Sequence, residues 1–574
     1  MGQPAVVLIH PPSIYDFRER PIFFGPLSDV IPSSPIFEMY PVGFLTLAAH
    51  LRRHGYPTRI VNLALLMMRS RRFQPEACLK RLRPRLFGLD LHWLPHAQGG
   101  LAVAALLKRL HPDIPIVFGG ISATYFHAEL IREPPVDFVL RGSVAEPNLL
   151  ALVRAVEAGG GYERVPNLVW KQAGEVRVNA SVPPANPDDY GLALGAQVLD
   201  VARQLDFWTS APFHTWWRHP ITAAFTVRGC ERACATCGAA ADAFPRFMPG
   251  SHPLRRSPAA IADWVRALAD LTRAPIFLVG DLRDGGEAYA RAVIDALARC
   301  RVENRLVFEF FEPPPAEFLS RLDASLARWG AEFSPETHAA DIRARVGKAA
   351  FSNAQMEAAL EACLRLRCEQ LDLFYMIGLP GQTVASVLTT TDAIETLFQR
   401  FDRRLSAFIT PLGPFLDPGS AGFEAPAEHG YRLFARTLKE HCALLETHDW
   451  EQMLNYETEW MTRAQIVEAT YAAAERLNDL KERYGRITAR RAAAVRGRLR
   501  AARALRGQLA ALGTADAATR RAVLNAVQAF SQGTLNDKAE LFPPGAFWQN
   551  FRLGGVAGLL LREVAAQWRG AGRG

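Results

Sequence analysis

Apolar and polar residues alternate in blocks along the first 180 positions, and each block has the length of one strand or one helix. Val6-Val7-Leu8-Ile9 is a continuous apolar run ended by His10-Pro11-Pro12, the pattern of a strand buried on both faces and followed by a loop. Positions 43–54 predict a helix stopped by Gly55, and 58–63 and 86–91 predict the next two strands. A helix over 98–110 leads to an apolar run at 114–118 closed by Gly119-Gly120, and 136–140 is a further strand ending at Arg141-Gly142. Strands and helices alternating at this length predict a doubly wound, Rossmann-like parallel sheet over 1–180, with ligands at the carboxyl ends of its strands.

Residues 181–220 lack this rhythm. Pro183-Pro184 and Asn186-Pro187 break the chain, and Phe207, Trp208, Phe213, Trp216 and Trp217 follow as an aromatic patch. The segment is read as an ordered interdomain connection, its aromatics packing between domains or, alternatively, lining a cofactor or substrate cleft. From Ile221 a second series begins, with strands expected at 222–227, 275–279, 305–310, 330–334, 371–377 and 405–409 and helices such as 258–272 and 353–368 between them. Six such units over 221–424 predict a partial (β/α)6 barrel of the TIM type, whose chemistry sits at the strands' C-terminal ends. Beyond about Ala425 the strand signals stop, and 425–574 reads as a helical region with a long stretch from Arg463 to Leu512.

Composition adds little to this picture, with one exception. Of a formal charge of +8, the segment Lys481–Arg506 carries ten Lys or Arg against the single acid Glu482, so the rest of the chain is close to neutral. Apolar positions recur at helical spacing within it, so 481–511 could pack on the barrel, lie peripherally on anionic lipid, or meet phosphates; nucleic acid is not expected, since no aromatic-rich module accompanies it. No apolar run reaches membrane-spanning length and no leader is evident, so a cytoplasmic location is expected.

Eight cysteines are too few and too scattered for a disulfide framework. Cys78, Cys300, Cys363, Cys368 and Cys442 read as small buried hydrophobes. The other three crowd into Cys230-x3-Cys234-x2-Cys237. Thiolates suit zinc or iron–sulfur clusters, and three of them hold three irons of a cubane while leaving the fourth without a protein ligand. A structural zinc site wants a fourth ligand, and the nearest histidines, His219 and His252, lack finger-like spacing.

This motif after a first barrel strand resembles the radical S-adenosylmethionine (SAM) superfamily, and further pieces follow in order. Gly280-Asp281 stands in the place of that family's Gly-Gly-Glu motif, Glu336 in that of its fourth-strand Glu, with Lys348 after it. Gly378-Leu379-Pro380-Gly381 resembles the run after the fifth strand, and 411–420 the Pro-Gly-Thr ending. The resemblance implies a 4Fe-4S cluster on Cys230, Cys234 and Cys237, with SAM held on the open iron near Gly280, Asp281, Glu336 and Gly378. An external one-electron reductant of flavodoxin or ferredoxin type would start its cleavage to a 5′-deoxyadenosyl radical. A doubly wound domain ahead of such a barrel resembles the cobalamin-binding module of one branch, with Gly119, Gly120 and Gly142 in the loops that cradle the corrin. The Asp-x-His-x-x-Gly signature is absent; its nearest echo, Asp90-Leu91-His92, ends in Pro95, and His92 is either below the corrin or structural. The resemblance thus implies a cobalamin-dependent radical enzyme, methylating an unactivated carbon of a small molecule or lipid. Radical cyclisation, coupling or oxidation without methyl transfer, and a non-catalytic cobalamin or iron–sulfur sensor, are the other readings.

Overall fold

A computed structural model describes residues 3–23, 37–182, 186–204, 207–531, 540, 542 and 544–571. Pro183, Pro184 and Pro543 lie outside them. The first strands are β1 (Val6–His10), β2 (Thr58–Asn62), β3 (Leu86–Asp90), β4 (Ile116–Gly119) and β5 (Phe138–Leu140), which form a parallel sheet in the order β2-β1-β3-β4-β5. Every residue of β1 and β3 is buried, as continuous apolar runs require. The sheet does not stop at β5. β6 (Leu168–Gln172) and β7 (Glu175–Val178) add an antiparallel hairpin at its edge, turning through Ala173 and Gly174, both at positive φ. The wholly parallel sheet expected from the sequence is therefore a mixed one.

The interdomain connection is more regular than its composition suggests, because it contains the helix Leu194–Gln204, which packs on the last helix, Leu553–Ala571. The barrel follows: β8 (Thr222–Phe225), the short antiparallel pair β9 (Val227–Arg228) and β10 (Leu254–Arg255), then β11 (Ile276–Val279), β12 (Leu306–Phe310), β13 (Trp329–Glu336), β14 (Cys368–Ile377) and β15 (Leu405–Pro411). Its six strands run in the order β15-β14-β13-β12-β11-β8, all parallel, so β8 and β15 are edges of an unclosed barrel.

Strands do not vanish after Ala425. β16 (Tyr431–Leu433) and β17 (Tyr456–Thr458) pair antiparallel under the barrel's last loops. The long helical stretch is two helices, Arg463–Arg483 and Ala489–Ala510, parted by Gly485 at φ 67°. One hydrophobic core runs from Val7, Phe87 and Phe118 of the first sheet to Trp450, Tyr471, Leu499 and Val527 near the C-terminus, while a second fills the barrel layer around Trp264, Trp329 and Tyr375. The basic helix packs Ala492, Leu499, Ala502 and Leu505 inward, and much of its charge is met within the protein. Arg496 pairs with Asp479 and Glu482, Arg503 with Glu468 and Glu475, and Arg506 with Glu451. Among the remaining cysteines, Cys363 and Cys368 are buried as expected, whereas Cys78, Cys300 and Cys442 are only half-buried.

Candidate functional site

The cysteine loop opens at the carboxyl end of β8 and β9, with Gly229 at φ 87° turning the chain into Cys230. Other motif segments lean directly on it. A Cβ on Gly280 (φ 100°) would lie 2.8 Å from the Val227 side chain and 2.9 Å from Thr226 Oγ1. A Cβ on Gly347 would lie 2.9 Å from the Ala233 carbonyl, and one on Gly238 2.5 Å from the Pro418 carbonyl. Each glycine permits a backbone approach that a side chain would block. Hydrogen bonds complete the frame: Ala235 N–H donates to Val346 O (2.8 Å), Gly422 N–H to Ala235 O (2.8 Å), and Gly238 N–H to Asp417 Oδ2 (3.2 Å). Arg232 ties the loop to Asp284 and, at 3.4 Å, to Glu312.

Burial raises all three thiol pKa values: Cys230 is raised, Cys234 is pushed up to about 11, and Cys237 is raised further, with Cys230 opposing ionisation of Cys234 and both opposing that of Cys237. Thiols enclosed in this way ionise only when a cationic centre sits among them, which is what a metal cluster provides. Among the described residues no three His, Cys, Asp or Glu side chains are placed to hold an ion; the thiols share one loop without meeting at a point. His219 and His252 bond instead to the carbonyls of Phe542 and Gly250.

Beside the loop, Lys348 Nζ sits 2.5 Å from Glu336 Oε1 and over the Phe311 ring at 4.7 Å. Burial pulls the lysine's pKa down, but Glu336, Glu309 and the Cys234 thiol outweigh it and hold it above its ordinary value. Glu336 is itself strained, at φ 64° at the end of β13, a left-handed conformation that costs a non-glycine residue ~1–2 kcal/mol. Asp281 differs from expectation. Its carboxylate accepts four hydrogen bonds, from Arg283 N, Nε and Nη2 and from Phe311 N. Its lone pairs are therefore already engaged, and none is left for an ammonium group. The carboxylate that meets the Gly280 N–H (2.7 Å) is Glu309, which the sequence reading passed over. Burial raises its pKa, against the pull of Lys348 and the Gly280 N–H. Gly378 (φ 97°) is required by Tyr456, whose hydroxyl would lie 2.3 Å from an added Cβ, and its carbonyl accepts from Tyr431 Oη at 3.1 Å.

At the first sheet, the glycine loops are latched to each other. Thr124 Oγ1 accepts from Gly142 N–H (3.0 Å) and donates to Gly120 O (2.8 Å). Gly120 (φ 116°) lets its backbone pass His92, whose Cα would lie 2.4 Å from a Cβ there. Gly119 is different: an added Cβ would meet nothing nearer than Leu140 O at 3.7 Å, so the protein itself does not demand a glycine and space remains beside it. The His92 side chain is reached by solvent, and desolvation by the protein around it lowers its pKa despite Asp90. The open space beside Gly119 lies at the same strand ends. Both features fit a large planar ligand. Asp90 itself turns away to His10 Nδ1 (2.9 Å), a buried ion pair in which each partner's charge outweighs the cost of burial.

The two loop systems are bolted together. Glu146, fully buried, accepts from Arg228 Nη2 and Nη1 at 2.5 and 3.0 Å, and Arg228 Nη1 also donates to Ser143 O at 3.1 Å. Arg228 stands two residues before Cys230, so the glycine loop of the first domain and the thiol loop of the second share one buried salt bridge.

The B12 binding domain family model matches residues 30–150. The anaerobic magnesium-protoporphyrin IX monomethyl ester cyclase of Synechocystis sp. is 22% identical over 205 residues, 36% of this chain and only 39% of that protein's length. The structure of the radical SAM methyltransferase TsrM from Kitasatospora setae, with cobalamin and [4Fe-4S] cluster bound, superimposes with a TM-score of 0.54 at 16% identity, covering 76% of this chain and 81% of that one. The cobalamin-dependent SAM radical enzyme OxsB, with aqua-cobalamin and SAM bound, gives 0.50 at 15% identity, covering 99% and 81%. The chain therefore carries a match to the B12 binding domain over residues 30–150 and shares the overall fold of these two solved structures.

Proposed function

We propose that this chain is a cobalamin-dependent radical SAM enzyme that methylates an unactivated carbon. The observation that carries the reading is the Glu146–Arg228 bolt, which fixes the loop following Gly142 in the first domain against the loop of Cys230, Cys234 and Cys237. Cys230, Cys234 and Cys237 would hold a 4Fe-4S cluster, and the loops of Gly119, Gly120 and Gly142 a cobalamin. Bound there, the cluster would deliver the electron that cleaves SAM, and the cobalamin the methyl group. The chain's own residues orient and shield. Lys348 and Glu336 form a buried charged pair beside the thiols, and the Gly280 backbone is held by Glu309, so polar groups near an incoming sulfonium are preset and need no reorganisation. The electron would come from an external donor of flavodoxin or ferredoxin type.

Anaerobically reconstituted protein should contain iron and labile sulfide, retain cobalamin, and release 5′-deoxyadenosine together with S-adenosylhomocysteine on reduction. Cys230→Ala, Cys234→Ala and Cys237→Ala should each lose the iron and both products; activity surviving any of them defeats the proposal. Likeness to a cyclase motivates a second reading, radical chemistry without methyl transfer, for which 5′-deoxyadenosine would appear without S-adenosylhomocysteine. No described helix is long and apolar enough to cross a membrane. Peripheral contact through 481–511 would rest on exposed residues such as Arg490 and Arg500, and flotation on anionic against neutral vesicles tests it.

A further inference from the structure

Below the loops just described lies a cavity of about 410 Å³ with walls that are almost wholly apolar. Its inner end is in the barrel, between Phe277 and Val279 of β11 and Phe374 of β14. It passes beside Thr222 and Ala223 of the edge strand β8 and continues outward under the interdomain connection. There Val198, Phe213, Trp216 and Trp217 form one side and Phe551 and Val556 of the C-terminal region the other. The aromatic patch thus does more than pack between domains, because most of it walls this space.

Three observations say what such a space accepts. Its length, from the barrel interior to the outer helices, with room for about a dozen carbon-sized groups, matches an extended chain better than a compact polar molecule. Apolar walls reject ionised ligands, whose desolvation they cannot repay. One carboxyl interrupts the apolar wall, that of Glu332, which makes no hydrogen bond to another described residue. Burial first, then the neighbouring carboxyls of Glu309 and Asp372, push its pKa well up, against the pull of Lys348. Burial thus favours its neutral form, which can offer a hydrogen bond to a single oxygen in an otherwise apolar wall. Position completes the argument. Val279 directly precedes Gly280, and Glu332 pairs in register with Glu309, whose carboxylate holds the Gly280 N–H. The inner end of the cavity therefore opens where the proposed chemistry is placed.

We propose that this cavity binds a long hydrocarbon, the chain of a lipid-class substrate, with its inner end beneath Gly280 and a lone oxygen function within reach of Glu332. The assignment of that chain as the substrate rests on the enzymatic reading above. Binding itself does not, and the test uses that difference. The full chain is titrated with the uncharged fluorescent polyene cis-parinaryl alcohol, then challenged with 1-hexadecanol, 1-hexanol or indole. Saturable binding is expected, displaced by hexadecanol and at least about tenfold less well by hexanol or indole. Val198→Trp and Val556→Trp, which fill the outer cavity from partly exposed helix positions, should each weaken the probe about tenfold or more with unchanged circular dichroism. Cys230→Ala should leave binding intact, and wild-type protein that takes up no iron on reconstitution yet still binds the chain would defeat only the enzymatic reading. Absence of saturable binding, equal displacement by indole, or indifference to both tryptophan variants overturns the inference.

Discussion

The bolt between the two loop systems makes a demanding prediction. Arg228→Met keeps the length and apolar stem of the side chain but removes the bidentate partner of Glu146, whose side chain is 1% exposed. Deleting one partner of a buried, hydrogen-bonded charge pair costs ~3–5 kcal/mol, because the other charge is left without a partner. Arg228→Met should therefore destabilise the first urea transition, followed by tryptophan fluorescence, by about 3–5 kcal/mol. Adding Glu146→Gln should recover much of that loss. Double-mutant coupling below ~1 kcal/mol would show that the pair is a passive contact.

Three further outcomes follow from the same coordinates. Gly120→Ala places a methyl 2.4 Å from His92 Cα at φ 116°, and should cost ~3 kcal/mol or more and lower cobalamin retention, read by absorbance after gel filtration. Gly378→Ala should displace Tyr456 from its 2.5 Å bond to Leu412 O, lowering the melting temperature by several degrees in a thermal scan. Asp372, 2% exposed, has its pKa pushed up to about 7 by burial, with Gln370, Arg305 and Lys481 pulling it back. The folded state thus binds a proton that the unfolded chain releases at lower pH. The penalty is absent below about pH 4, grows between pH 4 and 7, and is full above pH 7. Asp372→Asn should raise stability at pH 8 by up to ~4 kcal/mol and leave it unchanged at pH 4; the same gain at both pH values would refute this reasoning.

β1 and β3, buried on both faces, were legible because such strands must be unbroken apolar runs. The six barrel strands were legible as apolar-rich runs between helices, although many of their positions are only partly buried. The β6–β7 hairpin was not, since Glu175–Val178 lies largely exposed and its polar turn through Ala173-Gly174 resembles a loop. Two short runs of alternating character around Ala-Gly, Val169-Trp170 and Val176-Arg177, were the signal available. The cysteine loop was legible from spacing. What surrounds it was only partly so, because Asp281 and Glu309 have equal claims as sequence and differ only in what folds against them. Glu332 was hidden for a related reason: one acid in an apolar strand reads as alternation until the barrel's inner face is known. The basic helix misleads in the opposite sense, since much of its charge is answered by acids on other helices, such as Glu468 and Glu475.

The core that joins Val7 and Phe118 to Trp450 and Val527 has a consequence for how the chain is made. The first sheet and its own helices leave the ribosome long before the C-terminal helices that share their hydrophobic core. At ~5–20 residues per second the intervening stretch of some 350 residues takes roughly 20–70 s to emerge. For that interval the nascent first domain carries an uncovered apolar side, a natural client surface for chaperones. An expression vector ending near residue 424 would make that temporary state permanent.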